Sequence, residues 1–140
     1  MDYQKKLAEL NAGFGGTELD SGLKLSSEVV QGEVDVLMLT VEDREEFPIY
    51  VTVDESQILC ITHLWTEAEV VADKRCELLE AMLTLNVPMP LSSFSKVGNQ
   101  YIIFDALHLD SRLDDILESI EALSDNTLTA IEELSEYLKK

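Results

Sequence analysis

Residues 34–65 read VDVLMLTVEDREEFPIYVTVDESQILCITHLW. The apolar residues of this stretch recur with a period of two in three short runs, which is typical of β-strands. The charged segments 42–46 and 54–56 separate these runs as turns. Both alternating sets of the first run, 34–41, are mostly apolar, so we expect that strand to be covered on both faces. The stretch predicts an antiparallel β-meander, with a further strand over 23–30.

The period changes to 3.6 after Trp65, which predicts a helix that ends before Pro88. Asp73 is the expected N-cap of this helix, and the alternative is that Thr66 starts an earlier turn. The residues expected to share its apolar face are Cys76, Leu79, Met82 and Leu83.

A hairpin and a second helix complete the predicted core. The dipeptide at 98–99, Gly-Asn, is typical of a tight connection between two strands, here 94–97 and 100–107. An apolar stripe keeps helical phase from Leu113 to Leu138, across the polar residues 124–127, and so predicts one long C-terminal helix.

One domain is expected over residues 1–140. Residues 1–22 are expected to form a short helix and a glycine-rich connector, because three glycines follow the apolar pair Leu7 and Leu10. Residues 23–140 then form the core. The order of elements predicts an α+β fold, an antiparallel meander plus a hairpin with flanking helices and a long C-terminal helix.

The chain of 140 residues carries 28 acidic and 10 basic side chains, a net charge of −18. Such an excess of acid repels phosphate backbones and anionic lipids, so nucleic acid and membrane surfaces are not expected partners. Since 46% of the residues are apolar, a packed core is expected. No apolar run approaches the roughly 20 residues of a membrane span. Two cysteines and no leader segment predict a cytoplasmic protein.

The residues best suited to chemistry are two cysteines and two histidines, namely Cys60, His63, Cys76 and His108. Cys60 and His63 lie an odd number of positions apart on a strand, so their side chains point to opposite faces. Cys76 lies on the predicted apolar face of its helix, where a cysteine is usually a small buried hydrophobe. We therefore expect no metal site, no cofactor and no catalytic residue. A small-ligand sensor or minor enzyme built on these four residues is the alternative.

Three residues are candidates for binding a partner protein, namely Trp65, Met89 and Phe94. Tryptophan is enriched among the residues that dominate protein interfaces. A lone tryptophan at the margin of a sheet is nevertheless more often a core residue, and that interpretation stays open for Trp65.

The segment 78–94, LLEAMLTLNVPMPLSSF, together with Gly98 and the segment 101–107, YIIFDAL, resembles the YjfI-type family of small bacterial proteins of unestablished function. The string Leu-Asn-x-x-Met-Pro-Leu-Ser-x-Phe at 85–94 is its most specific part. The pattern extends through Leu113 to Leu138 and loosely over the meander, whereas residues 1–28 have no counterpart. In the order of its elements the chain also resembles type III secretion chaperones and YbjN-like proteins.

These resemblances imply a function without a catalytic site. Proteins of the chaperone-like fold are commonly homodimers that bind other polypeptides, and YjfI-type genes tend to neighbour genes for PspA-like membrane-stress proteins. We therefore expect a non-enzymatic, acidic, chaperone-like adaptor that binds another protein, with a PspA-like protein as the implied partner and a homodimer as the implied assembly.

Overall fold

The computed structural model describes residues 3–140 as one α+β unit, and it confirms the predicted fold class. Helix α1 is followed by a four-stranded meander, helix α2, a hairpin and the long helix α3. The bounds are α1 Tyr3–Phe14, β1 Leu25–Val30, β2 Val36–Val41, β3 Ile49–Val53, β4 Ile58–Thr66, α2 Arg75–Leu85, β5 Ser93–Val97, β6 Gln100–Leu107 and α3 Leu113–Glu133. Short 3₁₀ turns lie at Glu67–Glu69, Ala72–Lys74 and Ser135–Tyr137.

The strands form one six-stranded sheet in the order β1-β2-β3-β4-β6-β5, and every neighbouring pair is antiparallel. The predicted hairpin is confirmed, since Gly98 has a φ of 57° at the turn between β5 and β6. Because β6 pairs with β4 and leaves β5 at the edge, the hairpin extends the meander on the side away from β1.

The helices pack on one face of this sheet. Helix α1 contacts β1, β2 and β3, and helix α3 contacts β4 and β6. The side chains between helices and sheet alternate along each strand, as the period of two requires. The fully buried members on the central strands include Leu37, Leu39, Val51, Ile58 and Ile103. We call this side the inner face and the opposite side the outer face.

The glycine-rich connector begins after Phe14, later than the position of Gly13 suggested. Helix α1 continues past Asn11 and Gly13 to Phe14, whose side chain is fully buried in the core. A Cβ atom at position 13 would lie 3.0 Å from the Leu113 side chain, so glycine there allows the close approach of α1 to α3. The first helix is therefore part of the core.

Asp73 is not the N-cap of α2, and the predicted apolar face is only partly confirmed, whereas the alternative of an earlier turn begun by Thr66 is confirmed. Asp73 lies within a 3₁₀ turn, and Thr66 instead begins the earlier turn, where its backbone N–H and its hydroxyl both donate to Glu69. Helix α2 buries Leu78 and Met82, whereas Cys76 is exposed and Leu83 is 71% exposed. The buried side of α2 is narrower than the sequence pattern suggested.

The Phe14→Ala substitution tests whether α1 belongs to the core. We expect it to lower the free energy of unfolding by about 3–5 kcal/mol, the usual cost of truncating a buried phenylalanine. Tyr3→Ala, at the exposed start of the same helix, should change it by no more than about 0.5 kcal/mol. Urea titrations of both variants measure this, and a loss below about 1 kcal/mol for Phe14→Ala would show that α1 is dispensable.

Candidate protein-binding surface

The structure does not bring the four cysteine and histidine residues together. Cys60 is buried on the inner face, and desolvation, aided by the charge of Asp105, raises the pKa of its thiol to about 12. His63 is exposed on the outer face of the same strand, as the odd spacing predicted. Cys76 is exposed at the start of α2, and His108 lies beyond β6 beside Asp110. A thiol with so high a pKa stays protonated and is a poor nucleophile.

Trp65 lies in the core and not at the surface. Its side chain is 2% exposed, and its ring centroid is 6.0 Å from that of Tyr101. In this conformation the indole cannot contact a partner, because core residues cover it. Of the two interpretations offered by the sequence, partner-binding residue or core residue, the second describes Trp65 correctly.

Met89 and Phe94, the other two candidates, lie together beside the end of α2. From α2 to the start of β5 the chain exposes three large apolar side chains, since Leu83 is 71%, Val87 89% and Leu91 51% exposed. We call the residues from 79 to 94 the α2–β5 surface. Isolated exposed apolar residues are common in proteins, but a cluster of them marks an interaction site.

Two apolar clefts flank this surface and share one wall, the Phe94 ring. The first, of about 210 Å³, lies between the proline-containing turn and α3, and is lined by Leu85, Pro88, Met89, Pro90, Phe94, Asn126, Thr129, Ala130 and Glu133. The second, of about 240 Å³, lies between α2 and the hairpin, and is lined by Leu79, Met82, Leu83, Asn86, Phe94, Ser95, Lys96 and Tyr101. Both are smaller than the roughly 300–1,000 Å³ of most small-molecule sites. Their size suits single side chains of a protein partner.

Specific hydrogen bonds hold the α2–β5 surface in shape. The Asn86 side chain accepts a 2.7 Å hydrogen bond from the Phe94 N–H, which ties the end of α2 to the start of β5. Asn126 Nδ2 donates to the Pro90 carbonyl at 2.9 Å and to Ser92 Oγ at 3.0 Å. Leu91, between these two acceptors, has a φ of 64°, a left-handed conformation that is strained for leucine. Asn126 therefore helps to hold a strained, exposed leucine in place.

The polar residues in the middle of α3 act as an anchor that the sequence did not reveal. Ser124 and Thr127 are buried, and Arg44 from the β2–β3 turn donates to Ser124 Oγ at 2.9 Å and pairs with Asp125 at 2.6 Å. Together with Asn126, these residues fix α3 to a strand turn on one side and to the α2–β5 surface on the other. In the sequence, the sign of this pairing is Arg44, a single basic residue in the acidic turn 42–46.

A carboxylate joins α2 to the hairpin. Glu67 accepts hydrogen bonds from Arg75 at 2.6 Å, from Lys96 at 3.1 Å and from the Tyr101 hydroxyl at 2.9 Å. The hydrogen bond from Arg75, followed by that from Lys96, lowers the pKa of Glu67 to about 2. Burial, followed by the hydrogen bond to Glu67, raises the pKa of Tyr101. Glu67 thus offsets one of the two positive charges of Arg75 and Lys96. Glu77 and Glu80 stay exposed on α2, and the exposed Glu133 lines the first cleft.

Neither a membrane span nor a metal cluster is found among residues 3–140. No helix there is both long and apolar enough to cross a bilayer. Within the same range, no three His, Cys, Asp or Glu side chains are grouped so as to hold a metal ion.

The comparisons with known proteins concern the family and the fold. The model of the family described as "Uncharacterized protein conserved in bacteria (DUF2170)" matches residues 4–138. Among curated proteins no relative matches the chain. The chain is similar to the crystal structure of an uncharacterized protein from Methanothermobacter thermautotrophicus, with 15% identity over 98% of this chain and 99% of that chain and a TM-score of 0.59. At that identity the likeness shows the fold alone.

The family match confirms the coarse part of the resemblance found in the sequence, a small uncharacterised bacterial protein. The YjfI-type relationship and the secretion-chaperone relationship stay predictions.

The Glu67→Gln substitution tests the link between α2 and the hairpin. Because folding lowers the pKa of Glu67 from an ordinary value of 4.5 to about 2, its contribution to stability is complete above about pH 4.5 and is lost as the pH falls towards 2. The urea midpoints of wild type and Glu67→Gln should therefore differ most at neutral pH and converge on acidification. Glu80→Gln, on the exposed side of α2, should leave the neutral-pH midpoint unchanged. A gap for Glu67→Gln that does not depend on pH would contradict this role.

Proposed function

The chain belongs to this bacterial family, and we propose that it is a non-enzymatic, cytoplasmic adaptor that binds another protein at the α2–β5 surface. The observation that carries the proposal is the meeting of two apolar clefts at Phe94, beside the exposed Leu83 and Val87. Apolar pockets that share an aromatic wall and lie next to protruding apolar side chains are typical of interfaces that hold a few anchor residues.

The charges around the clefts favour a partner with basic residues. Glu77 and Glu80 lie on the exposed part of α2 and Glu133 lines the first cleft, whereas the nearby Lys96 and Arg75 already pair with Glu67. On a chain of net charge −18, such a rim attracts cationic segments and speeds their encounter. The partner chemistry is therefore a segment with apolar anchors and flanking Lys or Arg side chains.

An amphipathic helix meets these requirements. Its apolar side chains, three or four positions apart, would enter the two clefts on either side of Phe94, while basic residues at the margins would face the exposed carboxylates. A PspA-like coiled-coil protein, the partner implied by the resemblance in sequence, offers helices of this kind. Binding of one such helix would make the chain an adaptor or chaperone for that protein.

Site-specific photo-crosslinking in the native host tests the proposal. A photoreactive residue at Thr84, on the exposed side of α2, should give one dominant adduct with another protein. The same residue at Glu55, in the turn between β3 and β4, should not. Mass spectrometry of the adduct identifies the partner and the segment that it contributes.

Matched lysine substitutions then locate the binding surface. Val87→Lys should lower the yield of the Thr84 adduct by about tenfold or more, because burying one valine contributes about 1.5 kcal/mol. Val34→Lys, at a 67% exposed valine before β2, should leave the yield unchanged. The proposal fails if Thr84 and Glu55 give the same adducts, if Thr84 crosslinks only to a second copy of the chain, or if Val87→Lys has no effect.

A further inference from the structure

The outer face of the sheet carries an apolar surface that no described helix covers. Residues that pair across antiparallel strands share a face, and the register places one continuous row across the four central strands β2, β3, β4 and β6. The row is Met38, Tyr50, Ile61 and Phe104. None of these side chains belongs to the core that the helices cover, and all four are half-buried.

Residues above and below the row extend the apolar surface. Alternation along the strands adds Val36 on β2, Leu59 on β4, and Ile102 and Ala106 on β6. Ile102 is only 5% exposed, although it is not part of the core between the sheet and the helices. This is expected for a side chain in the middle of an apolar outer face. The sequence predicted that other elements cover both faces of β2. In the structure the helices cover its inner face only.

No Asp, Glu, Lys or Arg side chain interrupts this outer surface between β2 and β5. The polar residues among the apolar ones are Thr40, Thr52, His63, Ser93, Ser95 and Gln100, and the first carboxylate along the row is Glu28 on the edge strand β1. A region this free of charge is unexpected on a chain with 28 acidic residues. It contrasts with the α2–β5 surface, whose rim is acidic.

We propose that the outer face is the interface of a homodimer, in which two sheets pack face to face. An uncharged surface offers a basic partner no carboxylate to pair with, whereas two copies of net charge −18 can approach closely only where neither carries charge. An apolar centre with hydroxyl groups around it is also self-complementary, as a two-fold interface requires. Sheets packed in this way lie about 10 Å apart.

The area of the outer face is sufficient for a specific dimer. Five strands spaced about 4.8 Å apart, each about 20 Å long, present roughly 500 Å² before side-chain relief is counted. Two copies would bury roughly 1,000 Å² in total, the lower limit for a specific protein interface. A dimer formed here leaves α2 and both clefts facing outwards, so it is compatible with the proposed adaptor function but does not depend on it.

Sedimentation velocity of the full chain over a range of concentrations tests the proposal. Wild-type protein should sediment with twice the 15.7 kDa mass of the chain, and Ile61→Lys should sediment as a monomer. Because a lysine at a half-buried position could also unfold the chain, Ala106→Arg provides a second test. Ala106 is exposed at the margin of the outer face, and its substitution should weaken the dimer by at least about tenfold with unchanged circular dichroism.

Two controls separate this dimer from other contacts. Ala12→Arg makes the same change at an exposed alanine on α1 and should leave the dimer intact. Val87→Lys should weaken client binding without affecting the dimer. A wild-type chain that stays monomeric at hundreds of micromolar would overturn the proposal and leave the outer face to a heterologous partner. A dimer that survives Ala106→Arg would overturn it too, because the contact would then lie elsewhere.

Discussion

Hydrophobic packing between the inner face of the sheet and the helices α1 and α3 determines where every other element can lie. The inner side chains of β2, β3 and β4 are almost fully buried, and Phe14 of α1 and Ile116 and Ile120 of α3 cover them. Since these two helices occupy the sheet from β1 to β6, α2 is left at the β5 side and buries only Leu78 and Met82. The exposed apolar side of α2 and the uncovered outer face follow from this arrangement.

Polar contacts then define the α2–β5 surface without covering it. Asn126 and Asn86 fix the backbone on either side of the strained Leu91, and Glu67 holds α2 against the hairpin. Ion pairs at an exposed surface contribute little stability singly, but those of Glu67 converge on one carboxylate and fix the position of a helix. A surface held rigid in this way loses less conformational entropy when a partner binds.

The sequence predicted the fold well because periodicity reports directly on burial. The meander and the long helix across residues 124–127 follow from periods of two and 3.6, and the hairpin follows from the Gly-Asn dipeptide at 98–99. The errors concern features that tertiary contacts decide. Gly13 looked like the end of a helix because its contact with Leu113 is invisible in the sequence, and Cys76 and Leu83 looked buried because the width of the groove that receives α2 is not encoded locally.

The binding surface was harder to predict than the fold. Met89 and Phe94 were named from the sequence and lie together, whereas Trp65 packs behind Tyr101 in the core. The polar residues 124–127 gave no sign of their role, since their partners Arg44 and Pro90 are distant along the chain. The charge-free outer face could be recognised only once the register had placed Met38, Tyr50, Ile61 and Phe104 in one row.

Methionine methyl resonances distinguish the two apolar surfaces, namely the outer face, which the proposed dimer closes, and the α2–β5 surface, which stays open to a partner. Met82 reports on the core, Met38 on the outer face and Met89 on the first cleft. With a soluble paramagnetic agent added, we expect the Met38 methyl group to be nearly as protected as that of Met82, while the Met89 methyl group relaxes fast. Equal fast relaxation of Met38 and Met89 would show that the outer face is open to solvent and would contradict the proposed dimer.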